Sequence, residues 1–404
     1  MEGYILDWAN LLLRWLHVIV AIAWIGSSFY FVWLDNSLRK PKDPQLAAKG
    51  VGGELWAVHG GGFYNPQKYL GAPGDLPDEL HWFYWESYST WLSGFGLFSV
   101  LYLFNPRIYL IDPSVAALSP QVAVAAALGF LVVGWLVYDG LCRALRKREQ
   151  LLAVLVVLFV VAAAWGACHL FAGRAAFLIV GAMIATIMSA NVFFWIIPGQ
   201  RTTVASMKAG MPVDAIHGQR AKQRSVHNTY FTLPVLFAML SNHYGWLHSH
   251  PQNWLVLILM MFAGAAIRQF FVLRHGFKLG RNHHPWPYAL AGVMVLILTA
   301  VWLKPAPAEA VAAPVASAPA AAGVPGYDAL NAMITQHCVV CHNSTTLAQK
   351  NVKLDAPAEV KSHAAQIYQQ VVMLRKMPFG NPGALSAEER DLVKRWYEGG
   401  APVQ

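Results

Sequence analysis

Charge is what this sequence has least of. Only 13% of its 404 residues are Asp, Glu, Lys or Arg, where a soluble domain carries roughly 25%. A water-soluble globule is therefore excluded. Cysteine is scarce as well, and four residues cannot staple a chain of this length into a disulfide scaffold. Acidic side chains are fewer than basic ones, 21 against 30. That surplus lies between apolar runs, where Lys and Arg orient a chain in a bilayer, so no nucleic-acid partner is expected. Hydrophobic residues make up 56%, with 16 Trp and 20 Phe, which excludes disorder. The composition is that of a membrane protein.

Apolar runs of about 20 residues fall at 11–34, 83–104, 120–142, 151–171, 176–198, 228–245, 253–273 and 286–303. The expected fold is all-α: a polytopic eight-helix transmembrane bundle over residues 1–304. The first run has no basic segment before it, is over-long and lacks a small-residue cleavage site, so it is read as a span and not a leader. The sixth contains Pro234, Asn242 and His243, residues tolerated in a span where they face the bundle interior. Basic residues concentrate in the odd loops, such as Arg39, Lys40, Lys42, Lys49 and Lys68 in the first and Arg143, Arg146, Lys147 and Arg148 in the third. The even loops offer Arg107 and Arg174. The positive-inside rule then puts the odd loops in the cytoplasm and both termini in the periplasm of a bacterial inner membrane.

After Lys304 the composition turns to alanine and proline, an extended tether over 305–326. A small domain follows at 327–404. It opens with Cys338-Val339-Val340-Cys341-His342, the attachment signature of haem c: two thiols bond the vinyl groups and the adjacent imidazole ligates iron. A redox Cys-x-x-Cys or half a zinc site would leave the histidine without a role and would want a second Cys pair. Met377, stiffened by Pro378, is the expected distal ligand, with Met373 as runner-up. Ser386 followed by Glu388 and Glu389 reads as a helix start, running to Trp396 and Tyr397 and stopped by Gly399-Gly400. It resembles the terminal helix of class I cytochrome c. Haem c is attached outside the bacterial cytoplasm, in accord with the loop charges.

Ionisable residues inside spans call for a functional reading. His17, His169 and His243 lie toward the expected outer face, where imidazoles from facing helices could ligate a b-type haem. The alternative is that His17 hydrogen-bonds a neighbouring helix while the other two sit at headgroup level. Toward the inner face lie His59, Glu86, His227, Asn228, Arg268 and Gln269. Glu86 either accepts a proton or forms a structural ion pair with Arg268. The loop around His59-Gly60-Gly61-Gly62-Phe63-Tyr64 combines glycines with aromatic faces suited to a flat ring, or else lies on the membrane surface with the glycines as turns.

Glu54-Leu55-Trp56-Ala57-Val58-His59-Gly60-Gly61-Gly62-Phe63-Tyr64, Leu80-His81-Trp82-Phe83, Ile196-Ile197-Pro198-Gly199-Gln200 and Ser225-Val226-His227-Asn228-Thr229-Tyr230-Phe231-Thr232-Leu233-Pro234, ahead of a cytochrome c tail, resemble the bacterial membrane-bound, cytochrome-c-linked urate oxidases (urate hydroxylases). The resemblance implies oxidation of urate to 5-hydroxyisourate, with electrons leaving through the cytochrome to a soluble cytochrome c or terminal oxidase. A site for the flat urate monoanion wants a cation, an amide and an aromatic face. Arg268, Gln269, Asn228, Phe63 and Tyr64 supply these types, with His59 nearby in sequence and Glu86 or His227 as proton acceptor. Electrons would then cross about 30 Å of hydrocarbon, for which a haem b at His17 with His169 or His243 is the expected relay. A quinol-linked respiratory oxidoreductase and a non-catalytic haem carrier are the rival readings.

Overall fold

The computed structural model describes residues 2–69, 71, 73, 76–113, 115–304, 326–344, 352–373, 375, 377–378 and 384–403. The chain is mostly helical. It begins with α1 (Glu2–Ser37) and a short α2 (Pro44–Ala48), then strands β1 (Val51–Glu54), β2 (Ala57–His59), β3 (Gly62–Tyr64) and β4 (Gln67–Tyr69). Next come α3 (Trp85–Phe98), extended by a π-type turn over Ser99–Leu103, α4 (Pro106–Tyr109), α5 (Pro120–Ala144), α6 (Glu149–Leu170) and α7 (Gly173–Asn191). A second π-type turn, Val192–Ile196, carries α7 into α8 (Ile197–Lys208). The bundle ends with α9 (Ala215–Leu240), α10 (Gly245–His248), α11 (Asn253–Lys278) and α12 (Trp286–Trp302).

Helix starts follow local rules. Ser119 accepts from the Val122 N–H with Pro120 at the first helical position, and Asp214 accepts from the Ile216 N–H to open α9. α1, at 36 residues, is about 54 Å long, more than a bilayer core requires. Trp8–Ser37, Pro120–Ala144, Glu149–Leu170, Gly173–Lys208 and Asn253–Lys278 are long and apolar enough to cross a membrane, while Trp286–Trp302 has only 17 residues. Each of the eight expected spans coincides with helix, but five meet both conditions. The second expected span is interrupted by its π-type turn. The sixth begins early, at Ala215, with a strongly basic first half, and stops at Leu240 instead of reaching 245.

α7 is the most buried rod, with Phe177, Ile179, Val180, Ile184 and Ile187 enclosed by α5, α6, α9 and α3. α9 in turn meets α11, α11 meets α12 and α1, and α1 lies along α3. Leu136 on α5, Leu158 on α6 and Leu298 on α12 point outward, as side chains facing lipid would.

The C-terminal unit comprises α13 (Tyr327–His337), α14 (Pro357–Ser362), α15 (Ala364–Tyr368) with a π-type turn at Gln369–Met373, and α16 (Ala387–Glu398). Leu330, Ile334, Val360, Val393 and Trp396 form its core, and the Trp396 indole donates to Pro402 O at 2.7 Å. The expected terminal helix is present as α16, opened by a reciprocal capping box between Ser386 and Glu389. The expected tether over 305–326 lies, apart from Gly326, outside the described residues.

Candidate functional site

A chain of polar side chains runs through the interior between α5, the end of α7 and α9. Arg224, His227 and Asn228 share one face of α9 by their i, i+3, i+4 spacing. Asp139 accepts from Arg224 Nη2 at 2.7 Å, from Arg143 Nε at 2.6 Å and from Trp195 Nε1 at 2.7 Å. The Arg224 guanidinium lies 5.0 Å from the Trp195 ring and 5.1 Å from that of Tyr138, so a buried charge has both a counterion and aromatic faces. Its Nη1 donates to Asn191 Oδ1 at 3.2 Å.

Hydrogen-bond polarity propagates from there. Arginine only donates, so Asn191 turns its oxygen to Arg224 and its amide hydrogens to the Tyr138 hydroxyl, 3.1 Å away, and to Asn228 Oδ1 at 2.9 Å. Asn228 Nδ2 then donates to Met188 O at 3.0 Å. The Tyr138 hydroxyl also lies 2.7 Å from His227 Nδ1, which ties the imidazole to the network through that nitrogen. Asp139, Asn191, Tyr138 and Arg224 were not singled out in the sequence. An acid inside the third span was the available signal for Asp139; Arg224 was hidden among loop cations.

The second cluster surrounds Arg268, which is only 1% exposed. Its Nε donates to Thr229 O at 3.3 Å, its Nη2 to Ser28 Oγ at 3.4 Å, and its guanidinium sits 4.4 Å from the Phe29 ring. The expected Arg268–Glu86 ion pair is not among those of the described residues. Instead, Glu86 in the first turn of α3 keeps one carboxylate oxygen buried without a partner. α1 packs on both α3, which carries Glu86, and α11, which carries Arg268. Beside Arg268, Gln269 Oε1 accepts from the Tyr230 hydroxyl. A buried cation without a carboxylate is costly, and an anionic ligand would relieve that cost. Near the bundle's end an open cleft of about 630 Å³ is bordered by Trp82, Arg201 and Lys208.

The glycine-rich loop is a β-hairpin. β1 pairs with β4 and β2 with β3, and Gly60 and Gly61 turn the tip with φ of 60° and 80°, conformations that favour glycine. His59, Phe63 and Tyr64 are exposed. The glycines thus serve as a turn, and these aromatics do not join the Arg268 cluster.

The three outer histidines face different neighbours. His17 Nδ1 lies 3.1 Å from both Thr90 O and Ser93 Oγ on α3, in a notch where a Cβ on Gly94 would come within 2.8 Å of the ring. His169 is exposed and stacks on Trp165 of its own helix, with centroids 4.3 Å apart. His243 is exposed in the 3-10 turn that follows α9. The structure does not bring His17 together with either.

In the C-terminal unit Cys338 ends α13, and the chain turns so that the His342 N–H donates to Cys338 O at 2.9 Å. His342 Nδ1 lies 3.1 Å from Val352 O, so Nδ1 carries the hydrogen and Nε2 keeps a lone pair, the orientation a ligating imidazole needs. Cys338 and Met377 pack against the core. Burial pushes the Cys338 thiol up to about 12 and raises that of Cys341. No cluster of three His, Cys, Asp or Glu residues stands together among the described residues. These residues fit a thioether-linked haem.

A search of curated proteins and a search of solved structures each found no match. The model of the urate oxidase N-terminal family matches residues 3–304, the whole helical bundle with its polar clusters, and the chain belongs to that family.

Proposed function

We propose that the chain is a membrane-bound urate oxidase that converts urate to 5-hydroxyisourate and delivers the electrons to a haem c in its own C-terminal unit. The supporting observation is Arg268, a buried guanidinium that has no carboxylate partner among the described residues, while a buried oxygen of Glu86 has no donor among them. Urate supplies what each lacks: a negative charge and N–H groups. The Phe29 ring, 4.4 Å from the guanidinium, adds an aromatic surface beside the charge.

Oxidation removes two electrons from the urate monoanion, water supplies the new hydroxyl oxygen, and one proton is released. Arg268 holds the anion and Glu86 receives the proton on its buried, unpartnered oxygen. His227, held through Nδ1 by Tyr138, is the alternative proton acceptor. Gln269, held by Tyr230, and Asn228, held by Asn191, are positioned as amide contacts. Cys338, Cys341, His342 and Met377 would hold the haem, which takes up electrons one at a time. The basic loops favour a cytoplasmic opening and a periplasmic C-terminal unit in the bacterial inner membrane, with a soluble cytochrome c or a terminal oxidase as acceptor.

Urate added anaerobically to purified protein is expected to reduce the c-type haem, seen as growth of its α-band, in proportion to urate and with no hydrogen peroxide formed on readmission of air. A haem that stays ferric overturns the proposal, and reduction by quinol alone favours the respiratory rival.

Pyridine haemochrome analysis is expected to give one c-type haem per chain, lost in Cys338→Ser. Bonding through Nδ1 leaves His17 Nε2 for a b-type haem, so the relay requires a b-type signal that His17→Leu removes. A c-type signal alone excludes that relay and moves the urate site to the outer end of the bundle.

A further inference from the structure

The hairpin Val51–Tyr69 stands apart from both polar clusters, and its side chains fall into two rows. Strand alternation and the cross-strand pairs Val58 with Phe63 and Ala57 with Tyr64 place Val58 and Phe63 on one face and His59 and Tyr64 on the other; Trp56, the residue before β2, continues the alternation on the Val58 side. The three apolar side chains are 67%, 69% and 77% exposed. A contiguous exposed apolar row marks a contact surface.

Its base is fixed to the end of α1. Lys68 Nζ meets Asp35 at 2.7 Å, and Arg39 exchanges backbone hydrogen bonds of 2.9 and 2.8 Å with Glu54. The arm leaves the chain where a membrane-crossing helix ends, and six residues of strand carry its tip about 20 Å from Glu54. Around the base, Lys40, Lys42 and Lys49 are exposed. Of the nearby acids, Asp43 caps α2 and Glu54 accepts from Asn65 at 3.2 Å. An apolar row above free lysines complements a bilayer with acidic headgroups and repels a second copy of the same arm.

We propose that the Trp56–Val58–Phe63 face of this hairpin lies in the headgroup layer of the anionic membrane that holds the bundle. The inference rests on the membrane reading of the chain and not on its substrate.

The test uses the full chain in nanodiscs containing acidic phospholipid, with nitroxide labels introduced by Val58→Cys, His59→Cys and Leu158→Cys in separate samples; unlabelled-site background comes from the wild-type chain treated identically. The label at 58 is expected to relax severalfold more with oxygen than with a water-soluble nickel chelate, and the label at 59 to show the reverse. Discs of phosphatidylcholine alone are expected to reduce the oxygen preference at 58. Equal nickel access at 58 and 59 overturns the proposal, as does shielding of 58 from both relaxants, which means that protein covers the face. An unchanged preference in neutral discs overturns the electrostatic part. A label at 158 that meets nickel overturns the membrane reading and the proposal with it, whereas lipid exposure at 158 with water at 58 overturns the hairpin's placement alone.

Discussion

Asp139→Ala is expected to lower the stability of the detergent-solubilised bundle by about 3–5 kcal/mol, the usual cost of removing one partner from a buried ion pair. Three donors lose their acceptor at once: Arg224 Nη2, Arg143 Nε and Trp195 Nε1. Arg143 is largely exposed and finds water, so the cost concentrates in Arg224, only 2% exposed. Replacing both members, Asp139→Leu with Arg224→Met, is expected to recover most of the loss, because the uncompensated charge is then gone. Unfolding followed by circular dichroism in a denaturant series measures both variants. An Asp139→Ala midpoint equal to wild type, or a double variant as weak as the single one, contradicts this account of the network.

Arg268→Leu is expected to cut urate turnover by at least about 100-fold, equivalent to roughly 3 kcal/mol, with the haem c content unchanged. The same substitution removes a buried cation that has no carboxylate partner, so thermal stability is expected to stay level or rise. Loss of activity together with gain of stability is the signature of a group kept for its ligand. Turnover close to wild type takes Arg268 out of the site. Turnover and stability falling together would mean that its bonds to Thr229 O and Ser28 Oγ, and its contact with Phe29, hold the bundle together.

Much of the scaffold was legible in the sequence because apolar runs report burial directly. Every expected span is helical, and Ser386 with Glu389 made the start of α16 readable from four residues. Pairing between helices is a different kind of information. Nothing local to Arg224 distinguishes it from Arg220, yet the first is buried with Asp139 as its counterion while the second, half-buried, meets the Trp195 ring at 5.5 Å. Arg268 and Glu86 carried the right charges for an ion pair, but the Arg268 guanidinium turns instead to Thr229 O, Ser28 Oγ and the Phe29 ring. The hairpin stayed open in the sequence because its glycines admit both a close ligand approach and a tight turn; the positive φ of Gly60 and Gly61 shows the turn.

α9 faces both clusters. Its Arg224, His227 and Asn228 belong to the Asp139 chain, while Thr229 and Tyr230 touch Arg268 and Gln269. One rigid cylinder is thus a party wall between two rooms, and a quarter-turn or a slide of it would disturb the furniture on each side together. A variant made on either flank of α9 has to be assayed for consequences on the other.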